Sequence, residues 1–367
     1  MREHAQAVQC YDNVTVLHLA GRDQATRQCW RLETETDRSL NAGIPTYRLL
    51  QGSKRLPGLS FLVYLWSVFQ AYQHITGSGF LPDVLHAHVY SAGLPAVLLG
   101  KLTRTPVVVT EHSSAFPRRL LSGRQARIAR FALRRAQVVM PVSRALQQGI
   151  NAYGVQANFR IVPNAVDLTL FHPPELQVVR DEKALLFVGS LIPIKGLDVL
   201  LNALAQLGQM RNDWHMDLVG DGTARKELEQ QALRLGLAGR VKFRGARSKL
   251  EVAEFMRYAD LFVLPSRWEN LPSVAIEAIA SGLPIVATTA GGIPEVVTPE
   301  VGLLVPPEDP ARLAEALNQA LTTLPLLDRQ RIARLAEPYS PSVVGRQIDA
   351  IYRDCLHFQF QTLSDVS

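Results

Sequence analysis

Two glutamates eight residues apart, Glu269 and Glu277, lie in SRWENLPSVAIEAIASGLPIVATTAGGIPEVV at 266–297. An apolar run ends at Ser266, Glu269 follows in a loop, and Pro272 suits the first turn of a helix that carries Glu277. Ser281 and Gly282 stop that helix, a new apolar run follows, and Ala290-Gly291-Gly292 opens a second short helix. Amides at a helix start hold an anion without help from a side chain. Two such starts converging on one crevice suit a diphosphate. Carboxylates nearby suit sugar hydroxyls, because each accepts two hydrogen bonds. The rival chemistry for paired carboxylates is glycoside hydrolysis, in which the pair flanks the scissile bond at roughly 5–9.5 Å. Two residues tied to one helix start are poorly placed to bracket a substrate, and the anion-binding helix ends favour a nucleotide over a bare glycan.

Other residues have a chemical and a bland reading side by side. Lys195 precedes Gly196 at a strand-to-helix turn, yet a surface lysine is the default. His112 closes an apolar run, where a satisfied core histidine is the usual explanation. His86 and His88 alternate on one strand and share a face, but no carboxylate or cysteine completes a metal site. Gly291 and Gly292 could equally serve a turn that needs positive φ.

The elements that position these residues follow from the hydropathy pattern. Short apolar runs alternate with amphipathic segments, as in β-α units around parallel sheets. Strands are predicted at 13–21, 82–88, 105–112 and 136–143, and again at 184–190, 215–222, 241–245, 259–266, 284–289 and 301–307. Helical periodicity marks 60–77, 122–135 and the stretch after 340, and Ser248 with Glu251 forms a capping box for a helix ending near Tyr258. Residues 160–183 break the pattern and read as a linker. The expected organisation is α/β: two Rossmann-like, doubly wound parallel-sheet domains facing a cleft. The first spans 1–172, the second 173–340, and a helix at 341–358 packs back onto the first. Ligands of such sheets bind beyond the carboxyl ends of the strands. REHAQAVQCY at the start already looks helical, so the usual opening strand and tight glycine turn have no counterpart.

The 367 residues are 47% hydrophobic and 20% charged, which is ordinary for a protein that buries a real core. Cys10, Cys29 and Cys355 are scattered, form no metal-ligand spacing and favour a reducing compartment. FLVYLWSVF at 61–69 is shorter than the ~20 residues of a membrane span, and the polar first residues are no signal peptide. The net charge of +6 is concentrated in Arg118, Arg119, Arg124, Arg127, Arg130, Arg134 and Arg135. A solvated helix face explains them, as does attraction to an anionic membrane or acceptor. No nucleic-acid motif accompanies the arginines, so nucleic acid is not expected as a partner.

The spacing of glutamates within ENLPSVAIEAIASGLPIVAT, followed by GGIPEVV, resembles the retaining glycosyltransferases of family 4, which have the GT-B fold. VGSLIPIKGLDVLL (188–201), VGDG (219–222), VKFRG (241–245) and VPNAVDLTLF (162–171) agree with that family, as do PDVLHAH and VVVTEHSS in the first half. The resemblance runs from about residue 2 to about 355. It implies that Glu277 bonds the ribose hydroxyls of a nucleotide and that Glu269 faces the donor sugar beside the amides of Asn270 and Leu271. It further implies that Lys195 neutralises the diphosphate and that His112 lies near the reacting sugar. Gly189, Ser190, Gly220, Gly291 and Gly292 belong to the same donor-binding segments. The family has an arginine where this chain has Ser190, and Arg244, Arg247 or Arg267 are the candidate substitutes. The family's opening strand and Gly-Gly loop are missing.

The resemblance implies a hexosyltransferase that moves a sugar from a UDP- or GDP-linked donor to a glycan or lipid-linked acceptor, without a metal cofactor. The expected location is cytoplasmic, with peripheral contact at the inner membrane face through Arg118–Arg135. Two rivals share the architecture. A nucleotide-sugar 2-epimerase would interconvert the free donor without an acceptor. A non-catalytic glycosyltransferase-like subunit would bind without turnover.

Overall fold

A computed structural model describes residues 2–22, 29–34, 43–51, 60–175, 181–323 and 327–364. The chain divides into two compact units. One comprises 1–142, 146–163 and 341–367, and the other 143–145 and 164–340.

In chain order the first unit begins with α1 (Arg2–Gln9), β1 (Val16–Arg22), β2 (Trp30–Thr34), β3 (Thr46–Gln51) and α2 (Ser60–Gly77). It continues with β4 (Leu85–His88), α3 (Tyr90–Thr103), β5 (Val107–Glu111), α4 (Gly123–Arg135), β6 (Val138–Pro141) and α5 (Arg144–Asn151). The second unit holds β7 (Lys183–Val188), α6 (Leu197–Met210), β8 (Trp214–Val219), α7 (Arg225–Arg234), β9 (Val241–Gly245), α8 (Lys249–Tyr258) and β10 (Leu261–Leu264). After these come α9 (Ser273–Ala280), β11 (Ile285–Thr288), β12 (Gly302–Val305), α10 (Pro310–Thr323) and α11 (Arg329–Arg334). The last helix, α12 (Pro341–Ser364), returns to the first unit.

The second unit is one six-stranded sheet in the order β12-β11-β10-β7-β8-β9, with every neighbouring pair parallel. Counted within the unit, this is the doubly wound order 6-5-4-1-2-3. The winding reverses between β7 and β10, where such sheets bind ligands. Strands covered on both faces must be apolar throughout, and β10 (LFVL) and β11 (IVAT) are fully buried. Trp214, Phe187 and Phe262 are buried without remainder, and α6 packs on α10. The expected capping box is present: the Ser248 side chain accepts from the Glu251 amide and the Glu251 carboxylate accepts from the Ser248 amide.

In the first unit the described strands form two three-stranded sheets. One is β1-β3-β2, with β1 and β3 parallel and β2 antiparallel to β3. The other is β4-β5-β6, all parallel. The expected opening helix exists as α1, and it packs along α12. Contact is close because Gly345 lacks a side chain: a Cβ there would collide with the Ala7 carbonyl. The Tyr11 hydroxyl donates to the Ser342 carbonyl at 2.9 Å, and Tyr352 shares a 2.6 Å hydrogen bond with His86 Nδ1. Among the described residues no helix is long and apolar enough to cross a membrane.

Candidate functional site

The carboxyl ends of β7 and β10 lie side by side, and the segments that leave them bring Lys195 and Glu269 together. After β7 the chain makes a single 3-10 turn, Pro193–Lys195, and enters α6 through Gly196. Gly196 has φ +66°, and a Cβ there would strike the Pro265 carbonyl just beyond β10. Glycine therefore satisfies two demands at that point, a left-handed backbone and a close approach between the two loops. The Arg267 amide donates to the Ile194 carbonyl at 2.8 Å and locks the loops further. In this frame Lys195 Nζ donates to Glu269 Oε1 at 2.6 Å, and the Ser266 hydroxyl donates to the same oxygen at 2.7 Å. Both charged side chains are largely buried, with 21% and 12% exposure. A pair removed from water to that extent is held rigidly, because each partner is the other's main compensation for lost hydration.

The glycine turn after β11 folds over the same loop. The Gly292 amide donates to the Glu269 carbonyl at 3.0 Å. A Cβ on Gly291 would meet the Glu269 carbonyl, and one on Gly292 would meet the Asn270 carbonyl. Gly291 also has φ +59°. A single 3-10 turn, Ile293–Glu295, follows where a short helix was expected. Pro272 stands one position earlier than expected, as the N-cap of α9, with no side chain capping the helix. A proline N-cap has no side-chain acceptor to offer, so the first amides of α9 stay available to an anion. Leu271 is buried, Asn270 is half-buried with its Oδ1 accepting from Trp268 Nε1 at 3.4 Å, and Glu277 is half-buried on α9.

On the other side of β7, Gly189 and Gly220 close the carboxyl ends of β7 and β8. The Gly189 amide donates to the Val219 carbonyl at 3.0 Å and the Gly220 amide to the Gly245 carbonyl at 2.8 Å. A Cβ on Gly220 would collide with the Gly189 carbonyl. Ser190 is exposed. The arginines proposed to replace the family's missing charge there are each engaged by carboxylates. Arg244 Nε donates to Asp217 at 2.6 Å, Arg247 pairs with Glu251 at 3.1 Å, and Arg267 grips both oxygens of Asp198 at 2.7 Å as well as Glu308. The guanidinium holds the Asp198 carboxyl below the usual carboxylate range. A phosphate reaching Arg267 must compete with two carboxylates already in place.

His112 belongs to the first unit, directly after β5. Its ring stacks on His88 with centroids 5.4 Å apart, and His4 lies 6.4 Å away. Burial pushes the His112 imidazole down to about 4, so it is neutral at pH 7. Its neighbour Glu111 is fully buried and escaped the sequence reading, although a carboxylate inside the run VVVTE was a visible anomaly. It accepts from the amides of Tyr90 (2.8 Å), His112 (3.0 Å) and Ser113 (2.8 Å), tying the start of α3 to the loop after β5. Burial outweighs those three bonds and raises its carboxyl to about 7. Among the described residues no three His, Cys, Asp or Glu side chains are grouped to hold a metal ion, His86 and His88 included.

Both halves of the chain match known protein families. The family model for glycosyl transferases group 1 matches residues 171–334, and the glycosyltransferase family 4 model matches 12–170. A D-inositol 3-phosphate glycosyltransferase of Geodermatophilus obscurus is 32% identical over 272 residues, covering 67% of this chain and 60% of that protein. The lipopolysaccharide core biosynthesis mannosyltransferase LpsB of Rhizobium meliloti is 28% identical, covering 83% of this chain and 86% of that protein. The alignments to the inositol phosphate enzymes span about three fifths of their length. Among solved structures, Anabaena HepE in complex with UDP and glucose superposes with a TM-score of 0.77 at 24% identity, covering 96% of each chain. The sucrose-phosphate synthase of Thermosynechococcus elongatus also has a TM-score of 0.77, at 22% identity, covering 96% of this chain and 92% of that one. Two family models between them take in both halves, and the GT-B fold is shared along 96% of the chain: this chain belongs to the family 4 glycosyltransferases.

Proposed function

We propose that the second unit binds a nucleotide diphosphate sugar at the carboxyl ends of β7, β10 and β11, and that the protein transfers the sugar with retained anomeric configuration. The acceptor is a glycan or a lipid-linked molecule. One observation carries the reading: Lys195 and Glu269 meet at 2.6 Å at the sheet's switch point, beneath a glycine turn and beside the uncapped start of α9. Cation and amides then face the diphosphate leaving group of one donor, and the carboxylate faces its sugar hydroxyls.

In this reaction the anomeric C–O bond to the diphosphate breaks, and its electron pair stays on the phosphate oxygen. The acceptor hydroxyl oxygen forms the new bond on the same face, and its proton passes to the departing phosphate. Charge grows on the diphosphate at the transition state, where Lys195 and the α9 amides are already oriented and little reorganisation is needed. Glu277 is assigned to the ribose hydroxyls, Glu269 to the sugar hydroxyls, and His112 to a place near the reacting sugar. The reading invokes no metal cofactor. UDP bound in HepE supports a uridine donor for this chain, and the mannosyltransferase name of LpsB keeps GDP-linked sugars in the test set.

Arg118, Arg119, Arg124, Arg127, Arg130, Arg134 and Arg135 are all exposed. Arg124 lies 6.0 Å from the ring of Phe61, beside the exposed Leu62 and Trp66 of α2. Basic residues beside exposed aromatics support peripheral contact with an anionic leaflet, as a lipid-linked acceptor requires.

The direct test incubates the protein with UDP- and GDP-sugars, with and without a glycan acceptor fraction. A transferase releases nucleoside diphosphate in proportion to acceptor and leaves the unreacted donor unchanged. Interconversion of the donor without acceptor would identify an epimerase instead.

A further inference from the structure

Arg267 stands two residues ahead of Glu269, yet its guanidinium is committed to two other loops of the second unit. Nη1 donates to the Pro193 carbonyl and, at 2.7 Å, to Asp198 Oδ1. Nη2 donates to Asp198 Oδ2 at 2.7 Å and to Glu308 Oε2 at 3.1 Å, and Nε donates to Glu308 Oε1. A guanidinium has five N–H groups, and here it makes five hydrogen bonds. The paired bonds to Asp198 fix direction as well as distance. The side chain is largely buried, at 28% exposure.

The acceptors bracket Lys195. Pro193 opens the 3-10 turn that ends in Lys195, and Asp198 lies in the first turn of α6, just beyond it. One side chain therefore holds the lysine-bearing turn at both ends, and its own loop carries Glu269. The third partner, Glu308, comes from the loop after β12, the edge strand of the sheet. Its φ is +63°, a left-handed backbone that non-glycine residues uncommonly adopt. Such a conformation costs free energy and persists where its surroundings over-determine it. The ion pair with Arg267 is the contact that holds this one.

We propose that Arg267 is a positioning residue: clamped by Asp198 and Glu308, it fixes the turn that presents Lys195 to the donor diphosphate and does not touch the donor itself. The proposal rests on the donor reading of this site. Two carboxylates around one guanidinium leave the cluster net negative, so it does not attract a diphosphate. Its contribution is geometric. A lysine ammonium sits on a flexible four-carbon stem, and its reach is set by where the backbone holds that stem. Holding the turn at both ends orients the ammonium before charge develops on the leaving group. The alternative role, direct contact between Arg267 and the diphosphate, predicts the opposite sign for the same perturbation. Asp198 and Glu308 would then be competitors, and removing either would tighten nucleotide binding. Under the clamp, removing either loosens the Lys195 turn and weakens binding.

Calorimetry of UDP and GDP with the full chain, Glu308→Gly and Asp198→Asn tests it. Glycine suits φ +63°, so Glu308→Gly removes the carboxylate and the backbone strain together, and its melting temperature should stay within a few degrees of the parent. Asp198→Asn keeps the shape of the second partner and serves as the independent variant. Both are expected to bind the nucleotide at least threefold more weakly than the parent. Added to Lys195→Met, Glu308→Gly should cost less than a further twofold, because its effect passes through Lys195. A merely structural role would give the same loss in both backgrounds. Tighter binding in either carboxylate variant overturns the proposal and makes Arg267 a direct ligand. A loss smaller than threefold in either, or a further loss of twofold or more on Lys195→Met, also overturns it. A parent that binds neither nucleotide defeats the donor reading and this proposal with it. A parent that binds, with Glu308→Gly indifferent, defeats this proposal alone.

Discussion

Acidification from pH 7 to pH 5 is expected to destabilise the first unit far more than the second, and the reason is four neighbouring imidazoles. Burial holds His4 and His112 at about 4 and His86 at about 3, and pushes His88 well below its ordinary value. Each takes up a proton near pH 6.5 when unfolded but stays neutral when folded. The unfolded state then binds more protons, so stability falls as pH drops through the window from about 6.5 to about 4. From pH 6 to pH 5 each of the three histidines with a stated value contributes a loss of about 1 kcal/mol. Glu111 acts in the opposite sense. Its carboxyl, raised to about 7, is protonated in the folded state and ionised in the unfolded one, which offsets about 1 kcal/mol over the same step. The net loss is about 2 kcal/mol, and His88 adds to it in the same direction. Two compact units need not unfold together, so a single spectroscopic transition is a poor probe. Urea series at pH 5, 6 and 7, pulse-labelled for amide exchange at one fixed pH, resolve β5 and β10 separately. The β5 midpoint should fall steeply from pH 6 to pH 5. A β5 midpoint that is flat or rises across that step refutes the reasoning.

Three further outcomes follow from contacts in the second unit. Gly292→Ala forces a methyl against the Asn270 carbonyl and should cost about 1–3 kcal/mol, measured by urea denaturation of the second unit. Gly239→Ala, where a Cβ meets nothing, is the silent control. Lys195→Met leaves Glu269 buried with only the Ser266 hydroxyl on that oxygen, at a cost of about 2 kcal/mol, below the range for a fully enclosed pair. The same variant should weaken nucleoside diphosphate binding at least tenfold by calorimetry, whereas Glu269→Gln should spare nucleoside diphosphate binding and lose the contribution of the sugar.

Much of the secondary structure was legible because buried parallel strands are continuous apolar runs. The predicted runs at 105–112, 136–143, 184–190, 215–222 and 284–289 each enclose an observed strand almost completely, and VKFRG coincides with β9. The helices at 60–77 and 122–135 appear where the periodicity put them. Strands β2 and β3 were missed because WRLET and TYRLLQ mix charged and polar residues with few buried positions, as strands with a solvated face do. Local pattern also cannot order a sheet. Nothing near residue 195 announces that β7 lies beside β10, and the contact between Lys195 and Glu269 bridges 74 positions of sequence. For the same reason Arg267 looked available in the sequence, while the fold closes it onto Asp198 and Glu308. Motif residues were visible because their types are unusual at a strand end. Their partners were hidden because they come from other strands.

The central claim is that the 266–297 segment, with Lys195, grips a sugar joined to a nucleoside through two phosphates. Titration calorimetry of the full chain with a panel of UDP- and GDP-sugars, repeated on Glu277→Ala, tests it most directly. The account expects saturable one-to-one binding of at least one such compound, lost by more than tenfold in the variant while its melting temperature stays within a few degrees of the parent. Absence of binding across the panel, or equal affinity in the variant, contradicts it.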